Sequence, residues 1–185
     1  MQTPDESALS DTLADQAWLR GIFEQHQAPL TTYAFHILGN LENARDAVQD
    51  TFVRLCAEDL SPLRDHIAPW LFTVCRRRSL DLLRKGKRMQ PLSDHSTVEQ
   101  ADEGRSPADA AEVRDGARQL TRFLARLKPD QRDVLLLKFQ HALSYQEIAQ
   151  VTGHSVSNVG FLIHTALNEL RRRFAAEELP TRRTP

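Results

Sequence analysis

Apolar residues recur at spacings of three and four along most of this chain, the period of helices that bury one face. Leu19, Ile22, Phe23, Leu30, Tyr33 and Ile37 predict a long first helix from about residue 15, with Pro29 disturbing one turn and Gly39-Asn40 closing it. Asn40 then stands where an N-cap is needed, and Ala44, Ala47, Val48, Phe52 and Leu55 form one stripe of a second helix. That stripe leaves Asp46, Gln49, Asp50 and Val53 on other faces. The segment from Glu58 to His66 contains Pro62 and reads as a loop. Beyond it Trp70, Leu71, Val74, Leu80 and Leu83 mark a third helix, whose outward side is rich in arginine.

The periodicity then fails. From Met89 to Gly116 the sequence MQPLSDHSTVEQADEGRSPADAAEVRDG has two prolines and too few large apolar residues to support a core, so residues 89–116 are expected to be a flexible acidic linker. Helical spacing returns over 117–176, and the Pro/Arg-rich residues 177–185 read as a tail. An all-α fold of two small helical domains, 15–88 and 117–176, is the expectation.

The second block carries the sharper local grammar. Ser144-Tyr-Gln-Glu147 fits a capping box, in which serine hydroxyl and glutamate carboxylate each satisfy an orphan N–H at a helix start. Ile148, Ala149 and Val151 supply its buried side. Thr152-Gly153-His154 breaks the helix with a glycine suited to positive φ, and Ser155 can cap the next one. There Val156, Val159, Ile163, Ala166 and Leu170 make an inward seam, leaving Ser157, Asn158, Phe161, Leu162 and Thr165 largely outward. This pattern alone fits a DNA-binding helix-turn-helix or a plain αα-hairpin equally well.

Charge changes the picture more by its distribution than by its sum. The 185 residues carry a formal net charge of −1, yet RRRSLDLLRKGKR over 76–88 and the triplet Arg171 to Arg173 are strongly basic. The two cysteines, Cys56 and Cys75, lack CxxC or Cys/His ligand spacing and read as small core residues. Seven histidines are scattered without ligand or catalytic spacing, so no enzyme, metal or cofactor is expected. The start of the chain is polar and acidic, and no apolar run approaches the roughly 20 residues that cross a bilayer, so the expectation is a cytoplasmic protein without membrane insertion.

Taken together the two blocks resemble the extracytoplasmic-function (ECF) sigma factors over roughly residues 15–175. The resemblance rests on Tyr33-Ala34 and ILGN over 37–40, DAVQDTFVRL over 46–55, Trp70-Leu71-Phe72 with DLLR over 81–84, ALSYQEIA over 142–149, and Ser155 to Val159. It implies an alternative sigma factor that binds core RNA polymerase and directs promoter-specific initiation. The second helix, through Asn43, Arg45, Asp46, Gln49, Asp50 and Val53, would dock on the polymerase clamp. Arg76, Arg77, Arg78, Arg84 and Lys85 would hold the phosphates of the −10 element. Ser157, Asn158, Phe161, Thr165, Arg171 and Arg172 would face the −35 duplex. An anti-sigma factor or a regulatory kinase is the implied controlling partner.

Departures from the family pattern are specific. Asn43 and Arg45 stand where acidic residues are usual, which points to weak unaided docking and to activation by added negative charge, with Thr51 as the candidate phosphorylation site. Arg77 replaces a usual asparagine. Gly160, Phe161, Leu162, Thr165 and Leu167 occupy positions where Lys, Ser and Arg are typical, so base specificity does not carry over. Two other readings compete: a helix-turn-helix regulator, which leaves the 49–52 and 70–72 motifs without purpose, and a helical adaptor that binds no DNA.

Overall fold

A computed structural model of the chain describes residues 6–89 and 122–178. Nearly all of the linker expected over 89–116, and the end of the tail, lie outside the described residues. The chain divides into two compact units, Met1–Val98 and Glu99–Pro185. Among the described residues the ordered structure is helical, without strands.

The first unit is built from α1 (Glu6–Leu38), α2 (Leu41–Leu55) and α3 (Ile67–Met89), each packed on the other two. Small residues let these helices approach closely. Ala34, Ala44 and Ala47 are fully buried beside Leu30, Tyr33, Leu55, Leu71 and Cys75. Tyr33 meets Phe72 edge to face at 5.2 Å, and Phe23 covers Phe52 at 4.8 Å, so aromatic pairs join α1 to both neighbours. α1 begins at Glu6, earlier than residue 15, and runs on through Pro29. The proline forfeits one main-chain bond, but Ile22, Leu30 and Tyr33 on either side are buried, and that packing holds the helix.

The connection read as a loop contains a 3₁₀-helix, Ser61–His66, with Pro62 in its first turn. Arg64 ties it to α1 by pairing with Asp15 and lying 5.0 Å over the Trp18 ring. The deepest positions of α3 are Leu71, Phe72, Cys75 and Ser79; Trp70, Val74, Leu80 and Leu83 are only half-buried. Cys56 is exposed, which corrects its assignment to the core, because it falls just past the last turn of α2. Cys75 is buried as expected, and burial pushes its thiol up to about 12 against the hydrogen bonds of Ser79 and Thr51.

In the second unit, a short helical stretch over 122–125 precedes α4 (Pro129–Leu135), a π-helical turn (Leu136–Gln140), α5 (Tyr145–Thr152) and α6 (Val156–Glu178). Phe123, Val134, Leu137, Ile148, Val159 and Ala166 form its core, and Phe123 packs at a tilt against Phe174, with ring centroids 4.3 Å apart. After the π-turn, Leu143 N–H donates to the Leu137 carbonyl at 3.1 Å across Ala142, which is held at φ +55°. The chain then enters the capping box: Ser144 N–H reaches the Glu147 carboxylate at 2.7 Å, and Glu147 N–H reaches the Ser144 hydroxyl at 3.2 Å.

Candidate nucleic-acid interface

Three local caps aim the outward faces. Asn40 Oδ1 accepts from Asn43 N–H at 2.9 Å and fixes the start of α2, and Gly39 supplies the preceding turn at φ +68°. Gly153 at φ +77° ends α5, and the Ser155 hydroxyl accepts from Asn158 N–H at 3.2 Å to open α6. The expected helix-turn-helix therefore has its turn and both caps in place.

On α2, Asn43, Arg45, Asp46, Gln49, Asp50 and Val53 are all exposed, opposite the buried seam of Ala44, Ala47, Val48, Phe52 and Leu55. Val53 is an apolar spot at 64 % exposure on that polar face. Arg45 and Asp46 have no ion pair among the described residues, whereas Asp50 accepts from Arg78 Nε of α3 at 2.5 Å. This contact joins a residue of the expected polymerase face to one of the expected −10 face. Separated by 28 positions in sequence, the pair leaves no trace in the periodicity.

Thr51 does not share that face. It is fully buried, and its hydroxyl donates to the Ala47 carbonyl at 2.7 Å. A kinase cannot reach a fully buried hydroxyl in the folded unit, and a phosphate could not be solvated there. Thr51 is accordingly a packing residue, and the phosphorylation assignment is corrected.

On α3, Arg78, Asp81, Arg84 and Lys85 line one shallow concavity. Arg84 is shared with Asp81 at 3.0 Å. Arg77 is exposed and Arg76 half-buried, and neither lines the concavity. The structure thus gathers three of the five expected cations and sets two apart. Asp81 moderates their charge, leaving a surface suited to spaced phosphates rather than a single anion.

On α6, Val159, Ile163, Ala166 and Leu170 are buried as expected, but Val156 in the first turn is 45 % exposed. Ser157 and Phe161 point outward, and Asn158 is half-buried. Thr165 is drawn into the unit: its hydroxyl lies 2.9 Å from the Phe161 carbonyl and accepts from Gln131 Nε2 of α4 at 3.2 Å. That contact braces α4 on α6 and leaves Thr165 little capacity for a base edge. The Arg triplet is also engaged. Arg172 and Arg173 both reach Glu169, at 2.7 and 2.6 Å, and hold its carboxyl below the usual range, while Arg171 donates to Asn168 at 3.2 Å. His164 and Asn168, 2.9 Å apart, are exposed on the outward face and escaped the sequence reading, although they lie three and seven residues beyond Phe161.

Among the described residues, no group of three or more His, Cys, Asp or Glu gathers as a metal site, and no helix is long and apolar enough to cross a membrane. The arrangement offers exposed charge and hydrogen-bonding groups on helices fixed by caps, which is equipment for binding.

Comparison with known proteins accounts for both units. The family Sigma-70 region 2 matches residues 22–89, and the family Sigma-70, region 4 matches residues 117–170. The RNA polymerase sigma factor YlaC of Bacillus subtilis is 29% identical over 163 residues, covering 83% of this chain and 90% of YlaC. The ECF RNA polymerase sigma factor RpoE of Cereibacter sphaeroides is 29% identical over 164 residues, covering 87% of this chain and 88% of the relative. Among solved structures, the sigma factor RpoE of Bartonella quintana in complex with the anti-sigma factor NepR matches with a TM-score of 0.66 at 20% identity, over 83% of this chain and 94% of that one. CnrH in complex with the cytosolic domain of CnrY matches with a TM-score of 0.61 at 24% identity, over 87% of this chain and 90% of that one. At these identities the structural likeness concerns the fold.

Proposed function

Because this chain belongs to the sigma-70 family of RNA polymerase sigma factors, in its ECF branch, we propose that it is an alternative sigma factor that binds core RNA polymerase and directs it to a particular set of promoters. The observation that carries this reading is the order of two regional matches on one chain, each on a unit with its own core. A helix-turn-helix regulator accounts for the second match and leaves the first without a purpose.

The residue roles are those the family resemblance implies, and the exposure of these faces supports them. The outward side of α2, with Asn43, Arg45, Asp46, Gln49, Asp50 and Val53, docks on the polymerase clamp, where carboxylates meet basic side chains. The cations of α3 attract the phosphates of the opened −10 strand, and the outward face of α6 enters the −35 duplex. The protein acts beside polymerase in the cytoplasm as an initiation factor. The RpoE and CnrH neighbours were each captured with a second protein, RpoE with a named anti-sigma factor. An anti-sigma factor that covers α2 or α6 is therefore the controlling partner proposed here. Its release would supply the activation otherwise assigned to phosphorylation.

The test is reconstitution. Purified chain added to core polymerase should start transcription at a subset of a promoter library, with related −10 and −35 sequences among the active templates. Output no different from core polymerase alone would sink the proposal.

A further inference from the structure

α6 carries one large apolar side chain at the centre of a polar face. Phe161 is 64 % exposed and lies on the side of the helix opposite the seam of Val159, Ile163, Ala166 and Leu170. Four residues before it is Ser157, three after it His164, seven after it Asn168 and eleven after it Arg172, all exposed. No second large apolar residue shares that pole: Leu162 is half-buried toward the seam, and Val156 lies round the helix.

This pattern discriminates between partners. A helix that docks in a protein groove presents apolar anchors at i, i+3 or i+4, and i+7. Here the positions at those spacings are serine, histidine and asparagine. A DNA major groove has the complementary texture: hydrogen-bond donors and acceptors interrupted by isolated apolar points, the C5 methyl groups of thymine.

The backbone that carries the ring is also fixed. Ser155 caps the helix less than two turns earlier, and the backbone at Gly160 packs beside Tyr145 of α5, where a Cβ would lie 3.6 Å from the tyrosine ring. The ring is therefore presented from a rigid turn rather than from a loop.

We infer that Phe161 is a specificity-determining residue that contacts the methyl group of a thymine in the −35 duplex, with Ser157 and Asn158 toward flanking base edges. This rests on the reading of α6 as the −35 helix. It adds contact recognition to the charge that Arg171, hydrogen-bonded to Asn168, and Arg172 and Arg173, paired with Glu169, bring to this helix.

The test uses holoenzyme, the full chain with core polymerase. A preferred −35 sequence is first selected from randomised duplex. Each thymine is then replaced singly by deoxyuridine, which removes one methyl and keeps every hydrogen-bonding group. One position should lose about threefold to fivefold in affinity, the worth of one buried methyl. Phe161→Ala should weaken binding and abolish the thymine/deoxyuridine difference at that position alone, while Phe161→Leu should keep part of it. Because Phe161 is exposed, both variants should retain the wild-type helical signal.

A selected sequence without thymine, wild-type indifference to deoxyuridine at every position, or discrimination surviving in Phe161→Ala would each overturn the inference and leave the sigma-factor reading standing. Failure of the holoenzyme to select any duplex would overturn both.

Discussion

The first unit and the second bury similar helical seams and differ in what they leave outside. On α3 the cations Arg77 and Lys85 stand exposed, and Arg78 and Arg84 are each shared with a single carboxylate. On α6 two arginines converge on Glu169 and a third on Asn168, while the outward pole is occupied by a phenylalanine. Charge acts over about 8–10 Å at ordinary ionic strength and ignores sequence, whereas a ring against a methyl acts only in contact. Under the proposed residue roles the contrast becomes a division of labour, long-range attraction from the first unit and short-range selection from the second.

The largest effect expected tests the boundary between surface and core in the first unit. Thr51→Glu places a carboxylate at a fully buried position and should cost about 3–5 kcal/mol, the scale of an uncompensated buried charge. Denaturant unfolding followed by signals of each unit should show the first unit lost and the second retained. Thr51→Val, which keeps the volume, should be far milder. A Thr51→Glu protein as stable as wild type would mean that the side chain reaches solvent, and phosphorylation at this site would return.

Next is the salt dependence of promoter binding by holoenzyme. Arg77→Ala with Lys85→Ala removes two exposed cations and should reduce the salt slope by about 1.4, since each contact to a single-stranded phosphate contributes roughly 0.7. At physiological salt this corresponds to about 1.5 kcal/mol of binding. Arg171→Ala with Arg172→Ala should reduce the slope less, because Arg172 already pairs with the Glu169 carboxylate. Equal losses from the two pairs would break the comparison on which the division of labour rests.

The legibility of the chain follows the same line between local and distant chemistry. The caps at Asn40, Ser144, Gly153 and Ser155 were readable because each is a residue satisfying its own neighbours. The seams of α2 and α6 were readable because burial repeats with the helical period. Thr51 was misleading as a polar residue and Ser79 went unread: each hydroxyl donates to the carbonyl four residues back, at 2.7 and 2.8 Å, and so enters the core satisfied. The Asp50–Arg78 pair and the Gln131–Thr165 brace join residues 28 and 34 apart, distances at which periodicity carries no information. The 3₁₀-helix at Ser61–His66 shares its composition with a loop, and the π-turn after Leu135 breaks no rule of helix composition.

The turns flanking α5 sharpen the picture of a rigid second unit. Gly153 is at φ +77°, and Gly153→Ala should destabilise that unit by about 1–2 kcal/mol although open space surrounds the Cβ. Ala142 accepts similar strain at φ +55° without being glycine, so Ala142→Gly should be stabilising, by about 0.5 kcal/mol after the extra chain entropy. Thermal unfolding of the two variants checks the opposite signs. Two destabilised proteins would show that Ala142 is held by contacts of its methyl group rather than tolerated under strain.

The smallest effect expected concerns how tightly α2 docks. Of its six outward residues, Asp46 is an acid with no ion pair among the described residues, Asp50 is shared with Arg78, Arg45 adds a cation to a face proposed to meet basic side chains, and Asn43 adds no charge. Asn43→Asp with Arg45→Glu should therefore strengthen binding to core polymerase, mainly through faster association, by up to about 1 kcal/mol because exposed charges are screened. Arg78→Ala offers an independent route to the same end, since it releases Asp50 toward the clamp while removing a cation from the DNA side. It should tighten polymerase binding slightly and weaken promoter binding, a pair of opposite signs that loss of folding cannot produce. Affinity for core polymerase at two salt concentrations decides the matter. If the acidic double substitution and the wild type bind equally at low salt, positions 43 and 45 do not face the clamp. If Arg78→Ala weakens polymerase binding instead, the ion pair serves to position Asp50 for docking rather than to neutralise it.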